Sequence, residues 1–364
     1  ISVVVLAYGA EPYLDDCLDA VLASVDDRGR PLALELILVD NGAGAVAGIE
    51  PDARLTVVRP AENLGFAGGC NLAAARAAGQ KLVFVNSDAI VEPAAIWALS
   101  SVLSDSATGI VSGSVRLADQ PGLMNTAGNP VHYLGLVWAG SFGEPAQWHT
   151  RPVDIASASG AFFGIRRSTW IRLGGFDDRY FAYHEDTDLS LRAWQQGYRV
   201  RFEPTAIARH HYEFSRNPTK QYLLERNRWI TVLTVYPRPV LVGVIPAMLA
   251  FEIPLCLLAL AQGWLPDKLR AYRWLIANRG YLRRRRSRIQ GLNTMSAADF
   301  YALLSAKIEP AAIEGPPGLG VLNRFLHLYW FAFGRLSQLR RPVISAARSE
   351  FERVGGDDVA EPER

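Results

Sequence analysis

The first 108 residues predict an α/β fold, a mostly parallel sheet with helices on both faces. Three observations carry that prediction. Apolar runs alternate with stretches of helical periodicity at a spacing that suits β–α–β units. The run Leu82, Val83, Phe84, Val85 holds no polar residue, as a strand buried on both sides does. Polar side chains gather where the runs end, at Asp40-Asn41 and at Asn86-Ser87-Asp88, and open α/β sheets place their ligands at those carboxyl ends.

Taken in order, the β-branched run Ile1–Ala7 predicts the first strand. Pro12–Val25 predicts a helix, because Leu14, Cys17, Leu18, Val21 and Leu22 recur at three- and four-residue steps. Leu34–Val39 is the second predicted strand and Leu55–Arg59 the third. An Ala-rich helix over Ala67–Gly79 follows, then a strand over Leu82–Asn86 and a helix over Ala94–Leu103. Two readings of Asn86-Ser87-Asp88 stand at this point. Ser and Asp are good helix N-caps, and an acid at a strand end is also a cation ligand in folds of this class.

From Gly109 to Pro152 the pattern loosens into strands and loops with many Gly and single aromatics. Gly160–Arg166 then predicts a strand, and Ser168 is expected to cap a short helix that Gly174-Gly175 ends. Thr187–Gln196 is amphipathic, with Leu189, Ala193 and Trp194 inward, and Gly197 stops it before a strand at Tyr198–Phe202. The expected units are a catalytic domain over 1–217, with halves at 1–108 and 109–217. A helical region over 218–350 follows, with a disordered tail over 351–364.

Lys220–Val235 predicts a helix. The apolar stretch of 26 residues from Val240 to Leu265 holds one acid, Glu252. It is long enough to cross a bilayer. Pro246, Pro254 and the central acid fit a hairpin or interfacial helix pair at least as well, and burial against the main domain is the ordinary alternative. Arg283 to Arg286 with Arg288 suit anionic headgroups, and Leu319–Leu336 reads as a second interfacial helix.

Composition narrows the partners little: 38 Lys and Arg against 36 Asp and Glu give a net charge of +2. Three cysteines with no ligand spacing, Cys17, Cys70 and Cys256, argue against a disulfide framework and fit a reducing compartment. No Gly-x-Gly-x-x-Gly turn follows the first strand, which disfavours a dinucleotide-dependent dehydrogenase. "AYGAEPYL" has no Lys or Arg to grip a triphosphate, which disfavours a nucleotidyltransferase. No nucleic-acid partner is expected.

"YHEDTDLSLR" places Glu185, Asp186 and Asp188 within four positions. Acids are common at a helix N-terminus for dipole reasons alone. Two carboxylates in a partly apolar pocket also repel and split in pKa, which suits a general base.

With these motifs in order, the chain resembles the family 2 glycosyltransferases of GT-A fold, inverting enzymes that use nucleotide sugars. It is most similar to the bacterial branch with rhamnosyl- and galactofuranosyltransferases of cell-envelope polysaccharides. The resemblance runs from Ile1 to about Trp229. It rests on "SVVVLAYG", "LILVDNGA", "ENLGFAGGCN", "FVNSDA", "SGAFFGIRR", "GGFDDRYFAYHEDTDLSLR" and "ERNRW".

The resemblance implies a nucleotide-sugar site formed by Ala7, Tyr8, Asp40, Asn63, Gly65, Phe66, Asn86, Ser87, Asp88 and Arg228. Asp88 stands where the family carries its Asp-x-Asp, with Asn86 replacing the first acid, so Asp88 is the implied ligand of Mg²⁺ or Mn²⁺. His210 or His211 is the implied further ligand, His210 preferred; both also read as ordinary structural histidines. Asp186 is implied as the catalytic base, with Glu185 beside it, and Asp188 and Trp229 as acceptor contacts. Glu225 replaces the Gln of the processive relatives' Gln-x-x-Arg-Trp. The implied donor is dTDP- or UDP-linked, and the acceptor a glycan or lipid-linked glycan at the cytoplasmic face of the cell membrane. The competing class is a non-catalytic carbohydrate-binding or assembly subunit on the same fold.

Overall fold

The computed structural model describes residues 1–42, 50–211, 219–309 and 319–339. The predicted tail, 351–364, lies outside them. The elements run β1 Ser2–Ala7, α1 Leu14–Leu22, β2 Glu35–Asp40, β3 Leu55–Val58, α2 Gly65–Arg76, β4 Lys81–Asn86, β5 Ala89–Val91 and α3 Ala95–Val102. Next come β6 Thr108–Leu117, β7 Met124–Thr126, β8 Val131–His132, β9 Val153–Asp154, β10 Phe162–Arg166 and α4 Arg167–Leu173. The acidic helix α5 Glu185–Gln195 and the long strand β11 Arg199–His210 complete the sheet region. The C-terminal part holds α6 Lys220–Val235, α7 Arg238–Ala261, α8 Leu265–Ala277, α9 Arg279–Gly291, α10 Ala297–Leu303, β12 Leu304–Ser305 and α11 Leu319–Leu336.

The main sheet has the order β3-β2-β1-β4-β10-β6-β11-β5. β3, β2, β1 and β4 are parallel neighbours, and β10 runs antiparallel between β4 and β6. Strand order reverses between β1 and β4, so the ligand crevice is expected above their carboxyl ends. Period-two alternation divides the core: Val3 and Val5 join α1 and α3 on one face, and Val4 joins α2 on the other. A third cluster, from Tyr133 through α6, α7 and α9 to Trp330 of α11, holds the helical region to the sheet domain.

Three expectations change. Ser168 lies inside α4, whose N-cap is Arg166 with no side-chain cap bond; the strand β10 feeds the helix directly. α5 starts two residues earlier than its periodicity suggests, after His184 at φ 69°. The stretch from Val240 is no hairpin, since α7 runs unbroken through Pro246 and Pro254.

The arginine run also divides. Arg285 is buried, with its guanidinium on Asp177, Asp188 and Thr234, and Arg286 donates to the carbonyls of Leu233 and Tyr236. Only Arg283, Arg284 and Arg288 remain at the surface. Helical periodicity explains the split: Leu282, Arg285 and Ile289 share the inward face of α9.

Candidate functional site

Ala7 ends β1 fully buried, and Tyr8 emerges from it 57% exposed. Asp40 ends the neighbouring β2 and faces the Arg59 Nε at 3.3 Å. Buried Asn41 shapes the next segment. Its amide nitrogen donates to Asn63 Oδ1 at 2.8 Å, and its Oδ1 accepts from the Leu64 amide at 2.9 Å. Asn63 Oδ1 also accepts from the Gly65 amide at 2.8 Å. Gly65 has φ +69°, and a Cβ there would collide with the carbonyl and ring of Phe181, so only glycine fits. The Ala67 amide then donates to the Phe181 carbonyl at 3.0 Å, tying the start of α2 to the aromatic loop ahead of α5.

Asn86 ends β4 and Ser87-Asp88 form the turn to β5, with α3 starting only at Ala95, so the N-cap reading fails. Asp88 Oδ1 lies 3.0 Å from His210 Nε2, and His210 Nδ1 lies 3.1 Å from Asn125 Oδ1. The backbone aligns this pair, because β11 meets β5 antiparallel with His210 opposite Ala89. His211 plays a different part from the one expected. Its amide donates to the Asp88 carbonyl at 2.9 Å, and its ring stacks on Tyr13 at 3.6 Å.

The Asp88–His210 pair fits a divalent cation. With Asn125 Oδ1 accepting from Nδ1–H, the His210 Nε2 lone pair faces the Asp88 carboxylate, and a proton or a cation must sit between them. Carboxylate with imidazole suits Mn²⁺ better than Mg²⁺, which prefers oxygen alone. Among the described residues no cluster of three His, Cys, Asp or Glu offers a fuller cage. Diphosphate oxygens and water would have to complete the shell.

Asp186 sits in the first turn of α5, partly open to solvent. Its Oδ2 accepts from the Gly160 amide at 2.9 Å and its Oδ1 from the Thr187 amide at 2.6 Å. Burial pushes its pKa up all the same, against those hydrogen bonds. The residue after Gly160, Ala161, accepts from the Asn86 amide at 2.9 Å. Two consecutive residues entering β10 thus join the Asp186 carboxylate to the turn that carries Asp88.

The other acids of the cluster do different work. Glu185 is buried, and its Oε2 has no hydrogen-bond partner among the described residues. Burial and then the adjacent Asp186 raise its pKa well above the usual carboxylate range. Asp188, expected at the acceptor, is fully buried: Arg192 Nε lies 2.8 Å and Arg285 Nη2 2.6 Å from its carboxylate, and the Tyr180 hydroxyl donates to it at 3.1 Å. Those cations hold its pKa low despite burial. It locks α5 to α9 and cannot meet an acceptor.

"ERNRW" is likewise structural. Arg228, expected on the diphosphate, is buried against Glu225 at 3.0 Å and against Glu252 of α7. Lys268 of α8 lies 2.5 Å from both acids. Trp229, expected on a sugar, is buried and meets Tyr272 edge-on with ring centroids 6.4 Å apart. The two residues between Glu225 and Arg228 hold the loop ahead of α5 instead. Asn227 Nδ2 donates to the carbonyls of Tyr180, Ala182 and Tyr183 at 2.8–2.9 Å, and Arg226 to those of Arg179 and Tyr180. That loop needs holding, since Phe181, Tyr183 and His184 all have φ between 63° and 69°.

Sequence reasoning passed over Asn125 and Asn227 as ligand-shaping groups. Asn125 lies in the stretch without clear periodicity, and Asn227 sits mid-helix, where its long-range bonds leave no sequence mark. A cavity of about 290 Å³, lined by Gly128, Val131, Ile155 and Trp194 among others, shares no residue with this set.

A family model described as "Glycosyltransferase like family 2" matches residues 1–231. The probable glycosyltransferase YdaM of Bacillus subtilis is 26% identical over 239 residues, 63% of this chain and 54% of that protein. The N-acetylglucosaminyl-diphospho-decaprenol L-rhamnosyltransferase of Mycobacterium tuberculosis is 41% identical over 68 residues, 19% of this chain and 20% of its own length. The chain thus spans about half the length of the first relative. Among solved structures, S. aureus TarS 1-349 in complex with UDP-GlcNAc superposes with a TM-score of 0.50 at 15% identity, over 96% of this chain and 91% of that one. GalNAc-T7 with UDP, GalNAc and Mn²⁺ gives 0.52 at 16% identity, over 65% and 48%.

Proposed function

From the premise that the chain belongs to glycosyltransferase like family 2, we propose that it moves a sugar, with inversion, from a nucleotide-diphosphate donor to a glycan or lipid-linked glycan of the cell envelope. The observation that carries this reading is the join between the two halves of the site: Gly160 holds Asp186 while Ala161 holds the turn before Asp88. A donor over the Asp88 turn would present its anomeric carbon toward Asp186.

The base of the donor lies, in this reading, between Tyr8 and Asp40, with the Asn63–Gly65 turn against the nucleoside. Asp88 and His210 would hold Mn²⁺ or Mg²⁺, whose chemistry is to offset the charge gathering on the departing diphosphate. Asp186 takes the proton of the acceptor hydroxyl as that oxygen attacks from the face opposite the diphosphate. Its raised pKa makes it a stronger base than a solvated aspartate, while the Gly160 and Thr187 amides fix its direction. One displacement inverts the anomeric configuration.

The relatives guide the choice of ligands to try. The mycobacterial relative is named as an L-rhamnosyltransferase acting on a decaprenol-linked sugar, and the superposed TarS binds UDP-GlcNAc. UDP-sugars are the donors to try with dTDP-sugars, which the sequence resemblance implies, and a polyprenol-linked acceptor, at the cytoplasmic membrane face in this reading, is the partner to try. Calorimetry with UDP, dTDP and GDP, each with and without Mn²⁺, tests the site on wild type and Asp88→Ala. Metal-dependent binding of one nucleotide, lost in the variant, is expected. No binding of any of the three would overturn the donor site and favour a non-catalytic glycan-binding subunit.

A further inference from the structure

We infer that α7 and α11 form a surface that lies in the plane of an anionic lipid bilayer without crossing it. α7 has two unlike faces. Val240, Val244, Met248 and Glu252 are buried against the protein, while Val242, Leu249, Ile253, Leu257 and Leu260 are 58–67% exposed. The exposed set falls at steps of seven, four, four and three, which is one stripe of a helix. α11 repeats the design with Val321, Phe325, Leu328 and Leu336 exposed and Leu326 and Trp330 buried. The helices are neighbours: the Tyr329 hydroxyl donates to the Gly243 carbonyl at 2.7 Å, and the Phe333 ring packs on Gly243. Two adjoining apolar stripes make a contiguous patch of the kind that soluble monomers avoid.

α7 is 24 residues long, enough to cross a bilayer, but its inner face forbids it. Glu252 is ion-paired with Arg228 of α6 and Lys268 of α8. Threading α7 through hydrocarbon would pull that acid from its partners and strand all three charges. The bound face must stay on the protein and the apolar face must find lipid.

Charge selects the partner. Among the exposed residues within the five helices α7, α8, α9, α10 and α11, nine are arginine and none is Asp or Glu. Arg273 sits between Leu269 and Ile276 on the outer face of α8, and Arg324 between Val321 and Leu328 on that of α11. Cations beside apolar residues on one helix face reach lipid phosphates while the apolar groups enter the acyl boundary. A second copy of the chain would instead set these arginines against each other in a self-complementary interface.

The test is sedimentation of the whole chain with vesicles of phosphatidylcholine, with and without phosphatidylglycerol. Binding to the anionic vesicles is expected, weakened by salt and by about fivefold for each of Arg273→Glu and Arg324→Glu. The pair Ile253→Glu and Leu257→Glu is expected to abolish it; both positions are exposed, and unchanged melting verifies the fold. Equal binding by that pair, or no binding by wild type, overturns the proposal. So does a concentration-dependent dimer that the pair dissolves, which would assign the patch to a second copy. Resistance to extraction by alkaline carbonate would overturn the in-plane placement. The inference stands on the helices alone, so it and the transfer reading fail separately.

Discussion

Glu185 is buried and its neighbour Asp186 only partly so, and a prediction follows from each. Asp186→Asn keeps the shape and one of the two amide contacts, since its single carboxamide oxygen can accept from only one of the Gly160 and Thr187 amides, and it removes the proposed base. Transfer is expected to drop about 10²–10⁴-fold while calorimetric nucleotide binding persists; parallel loss of binding would make Asp186 a donor contact. Because a base acts when deprotonated, wild-type activity should fall as pH drops through the Asp186 pKa. That acid limb should lie above the ordinary aspartate range, since burial raises the pKa. Glu185 tests the same physics through stability. It holds its proton in the folded state and releases it on unfolding, so it costs stability as pH rises from the unfolded to the folded pKa. Glu185→Gln should therefore melt higher than wild type at neutral pH, by about 1.4 kcal/mol for each unit of that difference. The gain should vanish under acid conditions where glutamate is protonated in both states. A variant less stable at neutral pH would show that Glu185 is ionised in the fold.

At the scale of elements, α6 links the site to the helical region. Asn227 gives three loop carbonyls their donor, and losing it should cost about 1–3 kcal/mol. Asn227→Ala is expected to speed amide hydrogen exchange across 180–187 and to lower transfer with nucleotide binding kept; unchanged exchange there would free the loop from α6. Glu252 fixes the other side of the same helix. Glu252→Ala leaves Arg228 and Lys268 buried without that partner, and a loss of about 3–5 kcal/mol is expected in denaturant titration; a change under 1 kcal/mol would mean that Glu225 suffices for both cations. These elements were only partly legible in the sequence. The sequence reads α6 and α11 as helices, and α11, exposed on one side with Leu326 and Trp330 buried on the other, keeps the amphipathic pattern of an interfacial helix. The inward turn of Arg285 and Glu252 was not legible, because a charge paired through distant residues reads, locally, like one in water.

For the whole molecule, the sheet was legible because parallel strands buried on both faces admit few residue types, and polar residues at their ends mark the crevice. Asp88 and Asp186 were placed by resemblance, and the folded chain brings both to one end of the sheet. Arg228, Trp229 and Asp188 were misplaced for a common reason: a motif records which residues are used and is silent on the direction in which each one faces. His210 and His211 show the same thing: His210 ends β11 opposite Ala89 of β5, which brings its ring to Asp88, while His211 lies just past the strand and stacks on Tyr13.

The position of β10 between β4 and β6 has a consequence of its own. Its register, Phe162 opposite Val85 and Phe163 opposite Ser112, sets how far Gly160 stands from Asn86, and therefore the gap between the Asp186 carboxylate and the Asp88 turn. Strand register changes only in whole residues, and a slip of one turns every side chain to the other face. The gap behaves as a fixed ruler. Under the proposed reaction, a larger or smaller sugar is not accommodated by stretching it, so changes in donor size are expected to fall on the loops around the crevice while the spacing of the two carboxylates is kept.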